Sequence, residues 1–332
     1  MSLKTAKVID VHAHAVLDEV MGKAGAYGPE LAPEPDGTPV FRIGDYYLRN
    51  VRYRGSVFME PNLRLEAMDA AGIDFQLLSP NPLTYFHYIP AKEATDFCRA
   101  HNDAMAQLVA YAPDRFAGLA ALPIQDVDAS IKELERSVED LGLRGAMIGT
   151  EFPGGLDGEK MEELYACVTQ LDVPLFIHPA PAGIDGPKGS EALTRYELDI
   201  MVGFTGQETV AVSTLIYSGI LHRHPSLDIC ISHGGGALAL VFGRLENAAL
   251  KRPWAPDYLK EPGAFTHYAK QLWYDIHMHD DRAVDMLVDR VGTERLVYGT
   301  NFAGWDAPKT FHAPGCDAPL ADNARRLLRC TV

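Results

Sequence analysis

Apolar and β-branched residues fall into short runs along the chain, separated by longer stretches whose hydrophobic positions recur at helical spacing. Eight runs of strand length can be counted: Val8 to Val11, Phe75 to Ser79, Phe116 to Leu122, Gly145 to Gly149, Pro174 to His178, Leu227 to His233, Leu272 to Asp275 and Leu296 to Gly299. Between them the pattern predicts helices over Leu63 to Ala71, Glu93 to Tyr111, Ile131 to Leu141, Glu159 to Leu171, Thr209 to Leu221 and Ala283 to Val291. Such alternation is what parallel strands joined by crossover helices require. Eight repeats predict an α/β fold closed on itself, a (β/α)8 TIM barrel. An open doubly wound sheet would ordinarily carry a glycine-rich phosphate loop after its first strand, and VIDVHAHAV at residues 8–16 has none.

Two segments interrupt the rhythm, Leu17 to Glu60 after strand 1 and Pro179 to Gln207 after strand 5. Both start at C-terminal strand ends, where the loops of a barrel surround its active site, so these long insertions are expected to form a lid or pocket wall. No repeat or low-complexity tract divides the rest, and residues 1–332 are expected to form one barrel domain.

The net charge of -15 and pI near 5.2 oppose nucleic-acid binding, which needs a clustered basic surface. Five cysteines, Cys98, Cys167, Cys230, Cys316 and Cys330, are widely spaced without a CxxC pair and read as reduced thiols. No basic-then-apolar leader opens the chain, and no apolar run approaches the roughly 20 residues that span a bilayer. A cytoplasmic protein with no membrane partner is expected.

The chemistry is concentrated at strand ends. His12 and His14 are two apart, so on a strand both imidazoles project from one face toward a single point. His178 ends the fifth run in PLFIHP and His233 the sixth in DICISHGGG. Closure of the barrel would bring all four together, which points to a divalent metal bound among them. Nitrogen ligation favours zinc, with manganese, iron and cobalt as alternatives. The competing arrangement, imidazoles that merely bond one another at a polar barrel mouth, gives little reason for four at equivalent ends. Gly234, Gly235 and Gly236 are read as allowing close backbone approach rather than as a nucleotide loop.

VIDVHAHAV, GTPVFRIG, LRGAMIGT, PLFIHP, GFTGQETVA, HRHPSLDICISHGGGA, LVYGTN and NARRLL together resemble a branch of the amidohydrolase superfamily. That branch includes aminocarboxymuconate semialdehyde decarboxylase and the metal-dependent aromatic-acid decarboxylases, and the resemblance spans nearly the whole chain. It implies His12, His14 and His178 as ligands and His233 as the histidine that activates water. It also implies an aspartate in the GTD of the eighth strand, where this chain has Gly299, Thr300 and Asn301. An amide can coordinate a metal or orient water but brings no negative charge and cannot act as a carboxylate base. His277, His279 and Asp306 are the side chains that could compensate.

The first insertion gathers Arg42, Arg49, Arg52 and Arg54 among Tyr46, Tyr47 and Tyr53, a set suited to a carboxylated, conjugated substrate, although a solvated surface loop would look similar. The resemblance implies Arg42 as a carboxylate-binding residue. It also implies Arg244 as an arginine contributed across a dimer interface, against the alternative of a helix-surface ion pair, and with it a homodimer. Tyr196 and Glu197, with Asp199 nearby, stand where the resemblance implies a tryptophan-containing stretch beside the metal, so they are expected to contact substrate. Tyr85, Phe86 and His87 would either line the pocket or pack as an aromatic loop.

Three readings follow. The first is hydrolytic carbon-carbon cleavage of a carboxylated aromatic ring-fission product, as in amidohydrolase-type meta-cleavage product hydrolases. Here His233 helps water attack and Asn301 orients that water. The second is nonoxidative decarboxylation with the same metal and His233. Asn301 and Glu197 tip the balance toward hydrolysis, and Asn301 also places ordinary amide hydrolysis behind both, since it removes the usual amidohydrolase aspartate. The third, a noncatalytic metal-binding barrel, does not explain why convergent ligands and Arg42 are kept together.

Overall fold

A computed structural model describes residues 2–307 and 318–330. Cys316 lies outside these residues, and the other four cysteines are free thiols. The chain begins with β1 (Ile9–Ala15), continues through a small antiparallel meander, β2 (Glu30–Pro33), β3 (Pro39–Ile43) and β4 (Tyr46–Arg49), and returns to the main wall at β5 (Phe75–Pro80). The wall is completed by β6 (Phe116–Gly118), β7 (Ala120–Ala121), β8 (Ala146–Ile148), β9 (Leu175–Ile177), β10 (Ile229–Ile231), β11 (Trp273–Asp275) and β12 (Leu296–Val297). All pairings in the wall are parallel.

Two backbone contacts turn these ladders into a ring. Leu119, between β6 and β7, donates its N–H to Leu78, while Ala120 donates to Gly145, so one continuous stretch hands over from β5 to β8. At the other seam Val11 of β1 donates to Tyr298 just past β12 at 2.9 Å. The predicted eight-strand barrel is therefore the observed one, with β6 and β7 as a single interrupted stave. Its strands are buried throughout, as parallel strands covered by helices must be.

The helices lie where periodicity places them, with altered ends. Ala91–Tyr111, Val127–Glu139 and Asp281–Val291 start earlier than predicted, the last two where Asp126 and Asp280 cap the first turn through their carboxylates. The predicted helix Thr209 to Leu221 instead begins at Phe204, runs to Tyr217 and breaks at Gly219, whose φ of 81° is left-handed. Leu238–Lys251, Ala264–Ala269 and Leu320–Leu327 were not predicted. The first follows three glycines and opens on an unbroken apolar run, Leu238 to Phe242, which hides its periodicity.

The first insertion is anchored to the main core: Phe41 and Ile43 on β3 are fully buried within it and Tyr53 packs edge-on against Phe41. Alternation along β3 turns Arg42 to the opposite face. No helix among the described residues is long and apolar enough to cross a membrane.

Candidate metal centre

His12 and His14, at the C-terminal end of β1, and His178, one residue beyond β9, converge as their strand ends predict. Their ring centroids lie 4.7 to 5.1 Å apart, and one nitrogen from each lies within 4.8 Å of the others. All three side chains are buried. In each ring Nδ1 is engaged: His12 with Asp275 Oδ2 at 2.9 Å, His14 with the Pro80 carbonyl at 3.0 Å, and His178 with the Pro179 carbonyl at 2.7 Å. These acceptors hold the proton on Nδ1, which leaves a lone pair on Nε2. The three Nε2 atoms are buried and have no hydrogen-bond partner among the described residues. A buried acceptor without a partner is costly, and three around one point match the needs of a cation.

Burial drives the pKa of each of these histidines down, most strongly for His14 and His178, where neighbouring imidazoles push the same way. For His12 the Asp275 carboxylate opposes the shift without cancelling it. The rings are thus neutral, the form that binds metal.

Asp275 organises the neighbourhood and was not recognised from sequence beyond ending a strand. Its Oδ2 accepts from His12, and its Oδ1 accepts the backbone N–H groups of His233 at 2.9 Å and His277 at 3.0 Å. Burial would raise its pKa, but the adjacent imidazoles hold it below the ordinary aspartate value. Close approach at this corner requires Gly299: a Cβ there would sit 2.8 Å from the Cβ of His12 and 3.1 Å from that of Asp275. Asp10 fixes the other side of β1 by accepting from the backbone N–H groups of His12 and Thr300, the Thr300 hydroxyl and Gln76.

His233 stands beside the three-histidine group, its ring 5.0 Å from His12 and 5.1 Å from His178. Its Nδ1 meets Glu208 Oε1 at 2.7 Å. Burial would lower the His233 pKa, yet the Glu208 carboxylate more than offsets this and pushes it up to about 9. Glu208 is fully buried, which raises its own pKa to about 7. Sequence reading missed Glu208 because its pairing with His233 depends on how the helix Phe204–Tyr217 packs. Gly236 allows that packing: with φ of 67°, a Cβ there would lie 2.1 Å from the Thr205 carbonyl oxygen.

Asn301, Asp306, His277 and His279 form a connected group next to His233. Asn301, with φ of 45°, donates Nδ2 to Asp306 Oδ1 at 2.5 Å. Asp306 Oδ2 also meets His277 at 3.2 Å and His279 at 3.1 Å. Arg42 is held by Glu30, with Nε to Oε2 at 2.9 Å, and by the Gly44 carbonyl at 2.8 Å. Arg49 and Arg54 are paired with Glu34 and Asp18. Arg244 is exposed on the helix Leu238–Lys251. Tyr196 and Glu197 are exposed and both left-handed, with φ of 59° and 56°. Burial raises the pKa of Tyr46, and the charges of Asp199 and Glu197 push it the same way. Tyr85 and His87 stack 5.3 Å apart and line a cavity with Thr150, Asp185 and Gln207, while Phe86 is core.

Known proteins share this architecture. A 2-amino-3-carboxymuconate-6-semialdehyde decarboxylase of Dictyostelium discoideum is 30% identical over 244 residues, covering 73% of this chain and 66% of its own length. A gamma-resorcylate decarboxylase of Rhizobium radiobacter is 30% identical over 288 residues, covering 82% of this chain and 84% of its own. The solved structure of 2,6-dihydroxybenzoate decarboxylase complexed with 2,6-dihydroxybenzoate superposes with a TM-score of 0.71 at 27% identity, over 82% of this chain and 89% of that one. With residues 9–329 also matching the amidohydrolase family as a whole, the chain belongs to that family, in the branch of aminocarboxymuconate semialdehyde decarboxylase and gamma-resorcylate decarboxylase.

Proposed function

We propose that this chain is a metal-dependent enzyme that decarboxylates a carboxylated aromatic or muconate-type acid without an oxidant. The observation that carries the reading is the set of three buried, partnerless Nε2 atoms of His12, His14 and His178 beside His233. The named relatives are decarboxylases, which favours this reaction over the hydrolytic carbon-carbon cleavage expected from Asn301. A noncatalytic barrel finds no support in those relatives.

His12, His14 and His178 would hold one divalent ion. Their neutral nitrogen donors suit zinc and also accept manganese, iron or cobalt. When bound, that ion supplies a Lewis acid that withdraws electron density from the substrate's conjugated system. His233, protonated because Glu208 faces its Nδ1, delivers a proton to the carbon that bears the carboxylate. The bond from that carbon to the carboxylate then breaks, carbon dioxide leaves, and the electron pair remaining on the carbon restores the conjugated system. His233 regains its proton from solvent. Asp275 keeps His12 and the backbone at His233 in register.

Arg42 is assigned to the substrate's carboxylate, in exchange with Glu30. Arg244 is assigned the same task from a second copy of the chain, making the active form a homodimer, with Tyr196 and Glu197 at the pocket rim. Asn301 serves as the anchor of Asp306 rather than as a base. Incubating metal-loaded protein with hydroxybenzoates and muconate-type acids in deuterated water tests the reaction. Decarboxylation puts one deuterium on the vacated carbon, whereas two carbon fragments carrying solvent oxygen would establish hydrolysis instead.

A further inference from the structure

A second group of ligating atoms lies next to the three-histidine centre. His233, His277 and Asp306 each offer one atom, all within 4.8 Å of one another. Their outer contacts orient them as metal ligands are oriented elsewhere. Glu208 occupies Nδ1 of His233, so Nε2 is the nitrogen that ring can present. His277 is fixed through its backbone N–H to Asp275, and its Nε2 already lies 3.2 Å from Asp306 Oδ2, a separation compatible with two ligands sharing one ion. Asp306 is steered inward by Asn301 Nδ2 on its other oxygen, and His279 closes the group from outside at 3.1 Å. A carboxylate behind one imidazole and a carboxamide behind the carboxylate are the supports that fix ligand geometry and raise basicity.

We infer that His233, His277 and Asp306 form a second divalent-cation site beside the one built by His12, His14 and His178. Two nitrogens and one carboxylate oxygen form a donor set that binds zinc, cobalt or manganese. The carboxylates of Asp275, Glu208 and Asp306 all face these imidazoles, a field that favours cations at this end of the barrel. Filling this site takes the Nε2 of His233. Resting on the decarboxylase reading above, the second ion is then inhibitory, since it occupies the nitrogen that carries the proton.

Binding can be tested without reference to turnover. Zinc chloride is titrated into chelator-stripped full-length protein, and ions per chain are counted by elemental analysis after desalting at each step. Wild-type protein is expected to reach two zinc ions per chain, while His277→Ala and Asp306→Asn stop at one and keep the far-ultraviolet spectrum of the wild type. Saturation of the wild type at one ion, or either variant still taking two, overturns the inference. Where an assay for turnover exists, zinc beyond the first equivalent slows the wild type, and Asp306→Asn raises the concentration needed by about tenfold or more. Absence of turnover on every acid tried would count against the decarboxylase reading and leave the ion count standing.

Discussion

Asp275 binds the ring of His12 through one carboxylate oxygen at 2.9 Å and the backbone of His233 through the other, also at 2.9 Å. One buried side chain therefore sets both a candidate ligand and the candidate proton donor. Asp275→Asn replaces an oxygen that must accept with an amide whose N–H opposes either His12 Nδ1–H or the backbone donors. Metal affinity should fall about 10- to 100-fold, the usual cost of losing such a support. Competition against a chromogenic chelator measures it.

Glu208 touches His233 and not the three metal-facing histidines. Glu208→Gln should therefore keep metal content and KM near wild type while kcat drops about 10- to 100-fold. Complete removal of the proton donor in His233→Ala should cost about 10²- to 10⁴-fold. A loss of bound metal in Glu208→Gln would instead assign Glu208 to the integrity of the whole pocket.

Arg42 makes an ion pair with Glu30 on a partly exposed face of β3, so its removal should spare the fold. Arg42→Ala should raise KM for carboxylated substrates by about 10- to 100-fold, equivalent to one charged hydrogen bond of about 1.5–3 kcal/mol. Steady-state kinetics beside thermal unfolding of the same variant separates this from a general defect.

Gly299 is required by contact rather than by backbone angle. Gly299→Ala places a methyl 2.8 Å from His12 Cβ, against the backbone corner that also carries Asp275. Overpacking there should destabilise the protein by about 1–3 kcal/mol and weaken metal binding in the same variant. Thermal unfolding with and without metal reports both effects.

Removing metal should itself lower stability, because it leaves three buried Nε2 atoms without a partner among the described residues. Ligand linkage gives about 2.7 kcal/mol of stabilisation at a hundredfold excess over Kd. Calorimetry before and after chelation should show this rise in Tm for wild type and not for His12→Ala.

The barrel was readable because its signal is redundant: eight buried runs and the helices between them agree on one closed topology. The convergence of His12, His14, His178 and His233 was readable for the same reason, since strand ends share one rim. The network behind them was not. Asp275 and His12 lie 263 residues apart in sequence, and Glu208 reaches His233 from a helix whose start was misplaced by five residues, from Phe204 to Thr209. Spacing in one strand cannot express contacts made across the barrel. Asp306 was readable, with His277 and His279, as a side chain that could compensate for Asn301, but not as their direct partner. Its engagement with His277 and His279 depends on the turn that follows β12. Arg42 illustrates the opposite error source: a motif can mark a guanidinium without revealing that Glu30 already holds it.

The most direct test of the account is release of labelled carbon dioxide from a panel of carboxyl-¹³C hydroxybenzoates and muconate-type acids, run on the metal-loaded protein before and after chelation. Labelled carbon dioxide is expected from at least one acid, abolished by chelation and restored by metal. Release that survives chelation, or no release from any acid by protein shown to carry its metal, would contradict it.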